Sequence, residues 1–221
     1  MAVEPVNYQA IVGATDYPTF ARLLRDSGCR RCALAANRTR IVVDRGDHRA
    51  GILAIGEAPG RQEDLAGRAF VGRAGRLLDE LLREARIDPD ADVLITNLVK
   101  CRPPANRVPR PDEVAACRPY LERQLRLVRP HTVLLLGATA LRHFRPSAGV
   151  ALGESAGRRF ALEAWPGVAF WPLYHPAYLL RSRRKRPLAL EHLERIRRKI
   201  PLPSPVPEGG TGRGGAPVAR G

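Results

Sequence analysis

The sequence predicts an α/β fold, a three-layer sandwich in which helices flank a central, mainly parallel, four-stranded sheet. Helical patterns separate four continuous apolar runs, which predict the strands and lie at 51–58, 93–99, 132–138 and 168–175. Strands that are apolar throughout are typical of parallel sheets covered by helices on both faces. A chain of 221 residues is long enough for one such domain with a full core.

The segments before the first core strand are short. Residues 1–16 are expected to form a flexible lead, and a helix over Tyr17–Asp26 begins a single domain that extends over residues 17–200. The stretch Thr39–Gly46 predicts a short strand or one arm of a hairpin.

Helical patterns account for the covering layers. They fall at about 74–86, 112–128, 139–144 and 188–199. Pro111 and Asp112 suit a helix N-terminus at the start of the second pattern. Residues 201–221 are rich in Pro and Gly and almost without core residues, so they are expected to form a disordered tail.

Composition narrows the class of partner. The chain has 37 Lys and Arg against 22 Asp and Glu, a net charge of +15. A preference for Arg codons does not explain so large an excess over the acids, whereas a polyanionic partner such as nucleic acid does. No window is apolar enough for a membrane span, and the N-terminus has no basic leader before an apolar core, so a cytoplasmic setting is expected.

Four cysteines, Cys29, Cys32, Cys101 and Cys117, form a tight C-x2-C pair and a wide C-x15-C pair. Four thiols with no spare suit one metal centre better than unrelated buried thiols. A reducing compartment disfavours disulfides. The spacing leaves Zn²⁺ and an iron–sulfur cluster open. It favours the cluster, because zinc ribbons usually repeat the tight pair in both halves.

The residues that follow the strands indicate where a ligand binds. Ligands of parallel sheets bind at the carboxyl ends of the strands. Gly56–Ala58, Asn97–Lys100, Gly137 and His175 occupy those positions. A site is therefore expected on that rim of the sheet.

Three segments together resemble the iron–sulfur, thermostable-type uracil-DNA glycosylases, family four of that superfamily. They are GEAPGRQEDLAGRAFVGRAG (56–75), TNLVKCRPPANRVPRPDEVAAC (96–117) and HPAYLLR (175–181). The resemblance covers about residues 29–195. It implies removal of uracil from DNA in base excision repair, and a structural [4Fe–4S] cluster held by the four cysteines.

The chemistry of uracil removal assigns roles to three of these residues. A flipped base needs a stacking face, a group that reads its edge and donors to its oxygens. Phe70 is expected to stack on the base, and Asn97 to pair with uracil O4 and N3, which cytosine cannot match. His175 is expected to donate to O2 as negative charge grows there.

The resemblance also bears on the acids and glycines of the first segment. Ala58 stands where other branches of the superfamily often place Asp or Asn, so the familiar water-activating carboxylate is missing there. Glu57 beside it is the candidate that positions water. Gly56 lets the backbone approach the base, and Glu63 resembles the residue that crowds the uracil C5 edge against thymine. Asp64 is expected only to cap or brace the loop.

DNA contacts are expected beyond the base itself. Leu179, together with Tyr178, resembles the wedge that fills the vacated stack. Arg181 is expected to clamp phosphates. Asn106 and Arg107 are further candidates near the opened nucleotide. The substrate would be single- or double-stranded DNA, the protein a monomer, and contact between the tail and a sliding clamp a further hypothesis.

Two other functions share parts of this pattern. One is a relative of the same fold that becomes covalently attached to uracil-DNA through a histidine in an inserted basic loop; the segment RPPANRVPRPDEVAA has neither the histidine nor the insertion. The other is a non-catalytic module that binds uracil-DNA or single-stranded DNA. Its charge and cysteines would look the same, but Phe70, Asn97 and His175 together favour an enzyme.

Overall fold

The structure, a computed structural model, describes residues 7–146 and 151–200. The expected tail over 201–221, and with it the proposed clamp contact, lies outside the described residues. None of the helices within them is long and apolar enough to cross a membrane.

Six strands and nine α-helices make up the described part of the chain. The strands are β1 (Arg45–Gly46), β2 (Ile52–Gly56), β3 (Val93–Asn97), β4 (Thr132–Leu136), β5 (Phe160–Leu162) and β6 (Trp165–Leu173). The helices are α1 (Tyr8–Gly13), α2 (Tyr17–Asp26), α3 (Arg61–Ala66), α4 (Arg73–Glu84), α5 (Pro111–Val128), α6 (Ala138–Phe144), α7 (Leu152–Ser155), α8 (Pro176–Arg181) and α9 (Arg186–Arg197).

The sheet has the order β1-β3-β2-β4-β6-β5. Its four central strands are the four predicted ones and are parallel, which confirms the α/β class. The strand count corrects the prediction, because β1 and β5 add an antiparallel strand at each edge. The β5 strand is only three residues long and partly exposed, so it leaves no apolar run in the sequence.

The two faces of the sheet have separate cores. Every residue of β2, β3 and β4 is buried, and successive side chains point to opposite faces. Leu53 and Ile55 pack in one cluster with residues of α1, α2, α5 and α6. Ile52 and Ala54 pack in the other with residues of α4, α8 and α9. These layers are the predicted sandwich.

The N-terminal segment is more ordered than expected. Helix α1 lies within the predicted flexible lead, and this corrects the boundary of the domain. Asn7 caps the helix by accepting from the Gln9 N–H at 2.9 Å, and Ile11 is only 1% exposed. Six helical residues are too few to show a helical period in the sequence, so the segment gave no signal.

The carboxyl ends of the parallel strands place the site. Gly56 and Asn97 are the last residues of neighbouring strands and lie opposite each other in the pairing register. The segment after β6 brings His175 to the same rim, where it is the N-cap of α8.

Candidate active site

A cavity of about 240 Å³ opens on this rim. It is smaller than the roughly 300–1,000 Å³ of pockets for drug-sized ligands, so it suits one small ring. Its lining includes most of the predicted site residues and consists of Glu57, Ala58, Pro59, Gly60, Glu63, Phe70, Ala74, Asn97, Pro103, Asn106, Arg107, His175 and Ala177.

Asn97 is buried, yet its side chain is not satisfied by the protein. The residue is 1% exposed, and its Oδ1 has no hydrogen-bond partner among the described residues. An unpaired buried acceptor costs about 1–3 kcal/mol. Because Asn97 lines the cavity, a ligand that donates a hydrogen bond there would remove that cost.

Gly56 lies against Asn97 and Phe70, two residues that line the cavity. A Cβ built on Gly56 would lie 2.5 Å from Asn97 Oδ1 and 2.6 Å from Phe70 Cζ, so only glycine leaves room for both. Phe70 itself has φ of 51°, in the left-handed region that bulky residues rarely adopt. Such a conformation costs about 1–3 kcal/mol and is typical of functional loops. The strained turn brings the Phe70 ring, 6% exposed, to the cavity wall.

His175 enters the cavity as a neutral ring. Its Nδ1 accepts from the backbone N–H of Ala177 at 3.1 Å, so the proton is on Nε2 and that nitrogen is a donor. Burial, with a smaller effect of the Arg181 charge, lowers the pKa of His175 to about 4. The ring centroid lies 5.8 Å from that of Phe70.

Two carboxylates line the described cavity, and they differ in how they are held. Both oxygens of Glu63 accept from backbone amides, those of Gly60 at 3.1 Å and Gly72 at 2.8 Å. Among the described residues, Glu57 accepts only from the Thr139 hydroxyl, through Oε2 at 2.5 Å. Oε1 of Glu57 is therefore the carboxylate oxygen left for a water. Thr139 lies in α6, and no motif in the sequence marked it.

Asp64 braces the first segment from behind, as expected. It is 2% exposed, and its Oδ1 accepts from the backbone N–H groups of Thr39 at 2.8 Å and Arg40 at 3.2 Å.

Arg107 is paired within the protein but keeps 32% of its side-chain surface exposed, so its contact with DNA stays a prediction. Its guanidinium donates to both oxygens of Glu113, at 2.8 and 2.6 Å, and Glu113 is fully buried. This pairing lowers the pKa of Glu113. Asn106 lies nearby and accepts from Arg102 Nε at 2.7 Å. The paired charges hold the proline-rich loop against α5, where it forms one cavity wall.

Leu179 is not available as a wedge. It is 2% exposed and packs in the core. The segment is helix α8, which directs Leu179 inward and Tyr178 outward. Tyr178 is 38% exposed and Arg181 is exposed, so these two remain candidates for DNA contacts.

A second, basic groove lies along the seam between α4 and α8. It has a volume of about 460 Å³ and is lined by Arg73, Arg76, Leu77, Glu80, Leu179, Leu180, Arg183 and Arg186. Arg186 pairs with Glu84 at 2.5 Å, whereas Arg73, Arg76 and Arg183 make no ion pair with described residues. Ala74 and Ala177, from the same two helices, line the cavity at the sheet rim, so groove and cavity adjoin.

The four cysteines are free thiols that share one region of the core. Cys101 and Cys117 are buried, and Cys29 and Cys32 pack against the same cluster. Burial raises the pKa of Cys101 to about 12 and of Cys117 to about 11. The Arg38 guanidinium lies 3.6 Å from Cys101 Sγ, and the Tyr120 hydroxyl 3.4 Å from Cys29 Sγ.

These contacts are of the kind that stabilise metal-bound thiolates. Within residues 7–146 and 151–200, however, no three His, Cys, Asp or Glu side chains stand in an arrangement that would hold a metal ion. The described residues therefore place the four thiols in one region of the core, but not in the arrangement of a metal site.

A family model described as the uracil DNA glycosylase superfamily matches residues 43–199. This span contains all six strands and every residue that lines the cavity. The chain belongs to this superfamily.

Relatives define the branch more narrowly. A type-4 uracil-DNA glycosylase of Thermotoga maritima is 44% identical over 171 residues, which are 76% of this chain and 88% of the relative. Proteins with the same description from Saccharolobus solfataricus and Archaeoglobus fulgidus are 37% and 40% identical over 176 residues, 78% of this chain in each case and 82% and 86% of the relatives. The type-4 family is therefore the branch that the chain represents, as the three segments predicted.

Proposed function

We propose that the protein hydrolyses the bond between uracil and deoxyribose in DNA and leaves an abasic site for base excision repair. One observation carries the proposal: a buried Asn97 with an unpaired Oδ1 lines a small cavity beside the Phe70 ring and a neutral His175. Relatives described as uracil-DNA glycosylases, which match most of the chain, support the same substrate.

Base recognition follows from the hydrogen-bond acceptor and donor of the Asn97 side chain. The uracil N3–H donates to Asn97 Oδ1, and the Asn97 amide group donates to uracil O4. Cytosine presents an acceptor at N3 and a donor at C4, so it would face like groups at both positions. A site whose buried polar groups go unpaired rejects the wrong ligand strongly. Phe70 supplies the face on which the flipped base stacks.

Bond cleavage depends on stabilising the departing base. As the C1′–N1 bond breaks, its electron pair goes to uracil, and negative charge grows on O2. The Nε2–H of His175 is the donor for that oxygen. Because the ring is neutral, it stabilises the uracil anion through a hydrogen bond without transferring its proton. Uracil takes its proton from solvent after release.

The attacking water is assigned to Glu57. Its Oε1 accepts a hydrogen bond from the water, whose oxygen forms the new bond to C1′ while its proton passes to the carboxylate. The Thr139 hydroxyl holds the other oxygen, at 2.5 Å. With Ala58 in place of an acid, Glu57 is the carboxylate best placed for this role.

DNA would lie across the cavity mouth and along the basic groove. Arg73, Arg76 and Arg183 are unpaired with described acids, and the chain carries a net charge of +15. Phosphate contacts of this kind position the duplex or strand without reading its sequence. Tyr178, with Arg181 nearby, is the exposed aromatic closest in sequence to the catalytic histidine and is assigned to the space that the flipped base leaves.

We also propose that Cys29, Cys32, Cys101 and Cys117 hold a [4Fe–4S] cluster. The cysteines are free, lie in one region and have N–H and O–H donors beside two of their sulfurs. Such a cluster would cross-link the segment before β1 to the loop after β3 and would be structural. Its thiols must lose their protons to bind metal.

Purified protein tests the cluster directly. Broad visible absorbance, with iron and acid-labile sulfide in equal amounts, is the expected result, and zinc without colour would contradict it. We expect Cys117→Ser to lose iron and to lower the melting temperature, because the cross-link is lost.

An oligonucleotide with a single uracil, followed by alkaline cleavage, tests the function. The wild-type protein should cleave at uracil and leave matched thymine and cytosine oligonucleotides intact. Asn97→Ala and His175→Ala should each lower turnover by about 10²–10³-fold, the scale of a lost charge-stabilising donor, and leave DNA affinity largely unchanged. Tight binding without an abasic product would instead identify a non-catalytic DNA-binding module.

A further inference from the structure

Lys100 has no role in the mechanism above, yet it is among the most buried residues of the protein. It is 1% exposed and lies three residues after Asn97, at the same rim of the sheet. Its ammonium donates to the backbone oxygen of Asn97 at 2.7 Å and to Thr96 Oγ1 at 2.6 Å. No carboxylate among the described residues pairs with it.

We propose that Lys100 is a positioning residue for uracil excision: its ammonium fixes the backbone of Asn97 and thereby aims the Asn97 amide into the base cavity. The inference rests on the proposed function, since it concerns the residue that reads the base there.

Stability alone gives little reason for a lysine at this position. Removing an ammonium from water costs more than hydrogen bonds to one alcohol and one carbonyl return. A methionine has a similar volume and would fill the space without that cost. We therefore expect the charged donor to serve another purpose, which is to fix the position of its acceptor, the backbone oxygen of Asn97.

Further hydrogen bonds, which continue from Thr96, restrain the Lys100 ammonium. Thr96 Oγ1 donates to the Val43 carbonyl at 2.7 Å and lies 3.2 Å from Gln124 Oε1. Gln124 in turn donates to the Tyr17 hydroxyl at 2.8 Å. This buried chain of polar groups ties the end of β3 to α5 and α2, so the ammonium has little freedom to move.

The backbone of Lys100 is anchored as well. Its carbonyl accepts from the Val42 N–H at 2.8 Å. The next residue is Cys101. The same residue therefore connects the cysteine region with the residue that reads the base, and any shift of that region would reach Asn97 through it.

The test is the variant Lys100→Met, with single-turnover excision of uracil as the readout. We expect the maximal rate to fall about 10–100-fold, the range found when supporting hydrogen bonds to site residues are removed. The substrate concentration at half-maximal rate should stay within about twofold, because phosphate contacts are unaffected. Lys199→Met, the same change at an exposed position, should behave as wild type.

A double-mutant cycle separates positioning from a general structural role. If Lys100 acts through the Asn97 side chain, Lys100→Met should change the rate less than about twofold once Asn97 is already alanine. Additive losses would overturn the proposal, as would a full rate in Lys100→Met. Absence of excision by the wild-type protein would instead overturn the proposed function itself.

Folding and metal content provide readouts independent of activity. Lys100→Met should keep the iron content of wild type and melt within a few degrees of it. If that variant loses iron or unfolds, Lys100→Gln decides the matter, because it keeps N–H donors without the charge. A folded Lys100→Gln whose losses are additive with Asn97→Ala would also overturn the proposal.

Discussion

The base cavity and the basic groove beside it share helices α4 and α8 but differ in almost every physical property. The cavity is small, buried and held by hydrogen bonds from fixed backbone groups. The groove is open, and three of its arginines are unpaired with described acids. Interactions in the cavity are directional and act together, so small displacements there should have large effects on rate. Interactions in the groove are between charges that are screened by solvent and salt, so each should add a small and nearly equal increment to the affinity for DNA.

The largest effect should come from adding a methyl group at Gly56, which lies against two residues that line the cavity. In Gly56→Ala the new methyl would lie within 2.6 Å of Asn97 Oδ1 and Phe70 Cζ, so one or both must move. We expect the rate of uracil excision to fall about 10²-fold or more, because a displacement of about 1 Å suffices for such a loss.

Gly13→Ala is the matched control for that change. A Cβ at Gly13 meets no atom within 4 Å, so excision should proceed as in wild type. Equal activity of the two variants would show that the base does not bind against Asn97 and Phe70.

A second prediction concerns the protonation of His175. Its pKa of about 4 means that the ring, to which we assign the donor for uracil O2, stays neutral throughout the neutral range. The excision rate should therefore not fall on acidification from pH 7 to about 5.5, although a histidine with the ordinary pKa of about 6.5 would titrate there. A rate that halves near pH 6.5 and is traced to this ring by NMR would contradict the assignment.

The same shift predicts a pH dependence of stability. The unfolded chain binds a proton at about pH 6.5, whereas folded His175 does so only near pH 4, so stability is lost as the pH falls between these values. The melting temperature of wild type should thus drop more steeply over this window than that of His175→Gln. Parallel curves would argue against a depressed pKa in the folded state.

Removal of the Thr139 hydroxyl should have a moderate effect. Thr139→Val keeps the shape of the side chain but leaves Oε2 of Glu57 without its donor. We expect the rate to fall about tenfold, part of the 10²–10⁴ that a positioned base contributes. Thr39→Val, at an exposed threonine, is the control. An unchanged rate in Thr139→Val would mean that Glu57 does not depend on this contact.

The smallest effects should come from the groove. Arg76→Gln should weaken DNA binding severalfold near 0.1 M salt, lower the slope of log affinity against log salt by about one, and leave the maximal rate unchanged. Arg49→Gln, at an 81% exposed arginine just before β2, at the opposite end of the strand from the cavity, should leave the slope as it is. Identical slopes for both variants would place the DNA elsewhere.

Local sequence predicted the cavity better than the groove, for a physical reason. Gly56 and Asn97 end apolar strands, His175 closely follows another, and the carboxyl ends of parallel strands meet at one rim whatever the details of packing. Arg73 and Arg76 are ordinary residues of an amphipathic helix, and only the approach of α8 makes them one side of a groove. Thr139 likewise carries no motif and matters only because α6 brings it to Glu57.

Two residues show how tertiary context adds to a local interpretation. Leu179 is expected to act as a wedge in the DNA stack, but helix α8 directs this residue into the core. Arg107 is expected to contact DNA, and the structure shows in addition that the buried Glu113, six residues on, pairs with both arms of its guanidinium. Neither the direction of a side chain nor its choice among charged partners can be obtained from residue type alone.

The sequence by itself determined the α/β class, the order of the four central strands along the chain, the rim on which the cavity lies, and most of the residues that line it. These depend on hydrophobic pattern and on residue chemistry, which are local properties. Only the tertiary structure decided that Asn97 Oδ1 is left without a partner, that His175 is neutral, and that Lys100 holds Asn97 from behind. Those properties arise from burial and from contacts between segments far apart in the chain, and no local pattern encodes them.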